Sequence, residues 1–161
     1  MNKLAYLALA TAPAVALAQP VTTFDFGPVN GMATHTGTIA PNQVLWFSIQ
    51  LDGDETYLDI SSNDFLIFSG DFEDTEIGIY DAAGNRIATD DDDGFGLRST
   101  LSFGTGTGLE LGDPFNLGGD GIANGEDGPM PGAGTYYIAL GEFNVNFGAS
   151  NFDVTSDGTD T

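Results

Sequence analysis

The chain has 161 residues, a formal charge of −21 and no cysteine. With 24 acidic side chains against three Lys and Arg, it has no cationic surface for phosphates, which excludes nucleic acids and anionic membranes; its field attracts divalent cations instead. Twelve Phe, five Tyr and one Trp exclude an unfolded acidic tail and supply the core of one domain of ordinary size, held without disulfides.

Lys3, the apolar run 4–17 and the small-residue site Ala16-Leu17-Ala18 make residues 1–18 a secretory signal peptide. Cleavage there leaves Gln19 first and removes Lys3, so Arg86 and Arg98 are the only basic side chains left. Pro13 breaks the apolar run, which is short for a bilayer, so membrane insertion is not expected. The product is a secreted protein, extracellular or at the cell surface, with residues 19–161 as a single domain.

Residues 21–26 form a short strand with Phe24 and Phe26 on one side. Residues 27–37 are a loop, and its His35, the only histidine, reads as a surface residue. In residues 44–51, Leu45, Phe47, Ile49 and Leu51 alternate with Val44, Trp46, Ser48 and Gln50, the clearest strand period in the chain. Trp46 on the second face packs under a loop or serves as a stacking platform. After the turn at 52–55, residues 57–61 place Leu58 and Ile60 inward and Tyr57 and Asp59 outward. The patch Phe65-Leu66-Ile67-Phe68 lies in the connection that follows.

Residues 74–94, DTEIGIYDAAGNRIATDDDDG, form a β-hairpin with acids at its open end. Asp81-Ala82-Ala83-Gly84-Asn85 suits a type I turn, with the Asp side chain bonding the backbone ahead and Gly84 at positive φ. Pairing Asp81 with Asn85 sets a register of Ile79 against Ile87, Ile77 against Thr89, Glu76 against Asp90 and Asp74 against Asp92. Like charges facing one another across strands are destabilising, so these four carboxylates form a candidate Ca²⁺ site. The other reading is a solvated loop guarding a sheet edge, the commoner fate of an acidic run.

Residues 99–103 are the next strand, and 104–134 a loop whose 11 glycines preclude a helix. Asp113, Asp120, Glu126 and Asp127 give that loop a second cation set, though without EF-hand spacing. Residues 135–140 are a strand with Tyr137 and Ala139 opposed to Tyr136, Ile138 and Leu140. Residues 141–148 are a loop or short strand, and 152–155 the last strand. Nothing in 19–161 reads as a helix. The pattern is an all-β antiparallel sandwich or jelly roll of about eight strands, with Phe47, Ile49, Ile77, Ile79, Ile87 and Ile138 in its core.

The strand and turn at 74–84, the acidic stretch 90–93 and the segment AGTYYIAL at 133–140 resemble the bacterial pre-peptidase C-terminal (PPC) domain family. More closely, residues 36–155 resemble the PPC-like domains of secreted proteins from planctomycetes and related bacteria. The resemblance implies a β-sandwich accessory module of varied proteins, and a further strand beyond residue 155 where the chain is a fragment.

A hydrolase triad has no base beside a GxSxG serine, zinc chemistry has no Cys and a single His, and no nucleotide-binding Gly loop opens a helix. A carboxylate pair of glycosidase type has no sequence sign of a cleft. The expected function is therefore a non-catalytic module, stabilised by Ca²⁺, that associates with extracellular proteins or surface polysaccharide. The alternative is a carbohydrate-binding module that uses Trp46, Tyr57 or Tyr136, for which an exposed aromatic row would be the mark.

Overall fold

The computed structural model describes residues 18–62, 74–92, 97–104 and 127–157. Residues 1–17 of the expected signal peptide, the Phe65–Phe68 patch, Asp93 and most of the glycine-rich loop, with Asp113, Asp120 and Glu126, lie outside the described residues. Among the described residues there is no helix, and nine strands follow in order: β1 (Phe24–Pro28), β2 (Val44–Leu51), β3 (Tyr57–Ser61), β4 (Thr75–Asp81), β5 (Arg86–Asp90), β6 (Thr100–Gly104), β7 (Gly134–Glu142), β8 (Val145–Phe147) and β9 (Val154–Ser156).

They form a five-stranded sheet in the order β1-β2-β7-β4-β5, a β3-β6 pair and a β8-β9 pair. Strict alternation places Phe47, Ile49 and Leu51 of β2, Ile77 and Ile79 of β4, and Tyr136 and Ile138 of β7 on one face of the large sheet. There they pack against Leu58 of β3 and Leu101 and Phe103 of β6, the inner core of an all-β sandwich. The opposite face carries Trp46, Tyr80, Tyr137 and Ala139, and Phe147, Phe152 and Val154 of the β8–β9 ribbon cover it. Trp46 lies 5.6 Å from the Tyr80 ring and 5.8 Å from Phe152, packed beneath the ribbon.

Two glycines allow that close approach. A Cβ on Gly78 would stand 2.5 Å from the Phe147 ring, and one on Gly141 would overlap the Val145 side chain. Small residues at these positions form the trough in which β8 lies. The ribbon is fastened from beneath by Tyr80 Oη, which donates to the Gly148 carbonyl at 3.0 Å, and by Arg86 Nη1, which donates to the Phe147 carbonyl.

The expected architecture needs three corrections. The first strand pairs with β2 in parallel, with Phe24 beside Phe47 and Asp25 beside Ser48, so the sheet is mixed rather than wholly antiparallel. Nine strands in sheets of five, two and two do not make the two four-stranded sheets of a jelly roll among the described residues.

The third correction concerns the hairpin. Its turn forms as expected: Asp81 Oδ1 accepts from the Ala83 and Asn85 amides, both at 2.9 Å, and Gly84 has φ of 80°. Tyr80 then pairs with Arg86, but Ile79 pairs with Ala88 because β5 carries a bulge at Ile87. The cause is tertiary. The Arg86 amide donates to the Ala149 carbonyl, which holds that residue against the ribbon. Ile87 is consequently 40 % exposed, not core, whereas Phe47, Ile49, Ile77, Ile79 and Ile138 are all buried.

Ile79→Ala should cost about 2–5 kcal/mol in urea unfolding, whereas Ile87→Ala should stay within about 1 kcal/mol. The expected register would make the two losses similar. Gly78→Val should destabilise by about 1–3 kcal/mol through displacement of Phe147, with the β-type circular dichroism retained.

Candidate metal centre

The open end of the hairpin meets the β3–β6 pair along a polar seam. The hydroxyls of Ser62 and Thr75 bond at 2.6 Å, and the Ser62 amide donates to the Ser99 carbonyl. The fully buried Ser99 Oγ donates to the carbonyls of Thr75 and, at 2.7 Å, Asp91. The Thr75 amide donates to Leu97. These bonds fix the start of β4 and the end of β5 side by side, and with them the carboxylates that project there.

Asp74, Asp91 and Asp92 converge. Each offers a carboxylate oxygen, all within 4.8 Å of one another, a set that could hold a metal ion. Oδ1 of Asp92 is buried without a hydrogen-bond partner, the condition in which a carboxylate oxygen is most costly unless a cation takes it. All the donors are oxygen, which suits a hard cation; backbone carbonyls and water would have to complete the six to eight ligands of Ca²⁺.

The expected set was Asp74, Glu76, Asp90 and Asp92, and the bulge redistributes it. Asp90 stands beside Ile77 rather than opposite Glu76. Its Oδ2 accepts the Thr100 amide at 2.7 Å and ties β5 to β6. Asp91 takes its place in the cluster, since continuing the same register by one residue sets Asp91 opposite Glu76. No feature of the sequence announces the bulge, so Asp91 could be found only as one of four equivalent aspartates.

Glu76 is buried beneath the ribbon, and its Oε2 accepts the Val145 amide at 3.0 Å. Burial pushes its carboxyl up to about 7; the Val145 bond opposes this, while the charges of Asp91, Asp74 and Asp92 add to it. Asp91 is raised as well, by burial and by Asp92. Burial first, and neighbouring carboxylates second, thus oppose ionisation of Glu76 and Asp91.

The other candidate groups lie apart. Asp127 accepts the Ser102 amide through Oδ2 at 2.6 Å, on β6. His35 is exposed, its ring 4.7 Å from that of Phe24. Tyr136 is buried on the inner face with Oη donating to the Gly132 carbonyl, Trp46 is half-buried under the ribbon, and Tyr57 is 44 % exposed on β3. These three aromatics occupy different surfaces and make no planar row. No protein-family model, curated protein or solved structure matches the chain.

The pH dependence follows from Glu76. Its carboxyl is raised in the folded state, so its proton stabilises the fold below the usual carboxylate range, and that stability is lost as pH rises through about 7. In chelator, the melting temperature should fall between pH 5 and pH 8. Glu76→Gln, which keeps an acceptor for Val145, should flatten the decline. An unchanged slope in that variant would show that Glu76 is not its source.

Proposed function

We propose that the chain is a non-catalytic, secreted module in which Ca²⁺ stabilises the open end of the β4–β5 hairpin, and which associates with extracellular proteins or surface polysaccharide. The observation that carries the reading is the convergence of Asp74, Asp91 and Asp92, with Glu76 raised beside them. Three carboxylates within one small volume repel one another, and a divalent cation reverses the sign of that interaction. The overall charge of −21 draws cations toward the surface and keeps the module soluble. Sugar stacking as the main mode of binding gains little support from aromatics divided among different surfaces.

A cation bound only by the folded state adds about 2.7 kcal/mol at a hundredfold excess over Kd. Ca²⁺ should therefore raise the melting temperature above its value in chelator. Mg²⁺, which demands tight octahedral geometry and dehydrates reluctantly, should do so far less. The Asp74→Asn/Asp91→Asn/Asp92→Asn variant should lose most of the Ca²⁺ response and be at least as stable as the parent in chelator. An equal response of parent and variant to Ca²⁺ would leave the acidic mouth a solvated surface.

A further inference from the structure

The segment ahead of β1 brings together a residue type and an accessibility that permit a covalent change. Gln19 is exposed, and its side-chain amide has no hydrogen-bond partner among the described residues. Among the described residues, backbone pairing begins at Thr23, whose amide donates to the Trp46 carbonyl. Gln19, Pro20 and Thr22 lie along a shallow groove with Asp25, Gln50 and Tyr137. Asp25 Oδ1 already accepts from Ser48 Oγ at 2.7 Å and from the Gly27 amide at 2.9 Å.

We propose that Gln19, once freed by cleavage after Ala18, is a modification site that closes to pyroglutamate; the inference rests on the secreted reading above. The α-nitrogen of Gln19 attacks its own side-chain carbonyl carbon Cδ, a Cδ–N bond forms in a five-membered ring, and the Cδ–Nε2 bond breaks. The side-chain nitrogen leaves as ammonia. The step needs no oxidant or co-reactant. It requires the neutral amine, and an α-amino group with an ordinary pKa of about 7.7–8.0 supplies that form at neutral pH.

Closing the ring breaks no hydrogen bond among the described residues, because the side chain that reacts makes none there and the paired backbone begins four residues later. It removes the α-ammonium, one of three cationic groups left with Arg86 and Arg98 after cleavage, and denies aminopeptidases their point of attack.

The test is to produce the full chain in a secreting bacterial host, recover the exported protein, hold it at pH 8 and measure its intact mass. The expected species is residues 19–161 lighter by one ammonia and refractory to Edman degradation, with the loss of ammonia placed on residue 19 by fragmentation of its N-terminal peptide in tandem mass spectrometry. Gln19→Ala should give the full mass of residues 19–161 and a sequence readable from Ala. An exported chain that begins at Gln19 and keeps its ammonia overturns the ring closure alone, as does cleavage at another bond. A chain that retains residues 1–18 overturns the secreted reading and this inference together.

Discussion

The backbone ladder of β7 is the constraint on which the remaining structure depends. β7 pairs along its length with β2 on one side and β4 on the other, so its amides and carbonyls are spent inside the sheet. The two ladders set cross-sheet rows. Leu45, Leu140 and Ile77 line up on the inner face, as do Phe47, Ile138 and Ile79; on the outer face Trp46, Ala139 and Gly78 are followed by Ser48, Tyr137 and Tyr80. A slip of one residue would turn every side chain to the wrong face, and with both faces covered no slipped register is tolerable.

Both coverings follow from those rows. The inner rows are large throughout and meet large residues from β3 and β6. One outer row runs from large to small, with Trp46 beside Ala139 and Gly78, and the resulting hollow receives Phe147. The ribbon reaches back through its Val145 amide to Glu76, and the seam around Ser99 holds Asp91 beside the start of β4. The acidic cluster is thus a product of packing on both sides of the sheet, and its charge is concentrated by contacts made elsewhere.

Much of this was legible in the sequence, because alternation is a local signal. The residues that alternate in 44–51 and 57–61 form strands with those same ends, and the Asp81–Asn85 turn closes through the side-chain bonds that its composition foretells. The parallel pairing of β1 was not legible, since a strand's own residues do not name its partner's direction. The bulge at Ile87 was likewise hidden, because its cause is a carbonyl more than sixty residues away, on Ala149. That single hidden residue moved Asp90 out of the acidic cluster and Asp91 into it. The presence of a carboxylate cluster at the hairpin mouth was readable, but the identity of its members depended on a long-range contact.

The bulge has a second consequence, for the behaviour of many copies of the chain at once. β5 is an outer strand of the large sheet, the kind of exposed margin along which like chains zip together into aggregates. Here the margin is spoiled as a template. The extra residue at Ile87 puts its hydrogen-bonding groups out of step, the Arg86 amide is already engaged, and the strand ends on Asp90 and further aspartates that repel their own image. In a molecule with no disulfide to hold it closed, geometry and charge at that edge both oppose pairing with another copy.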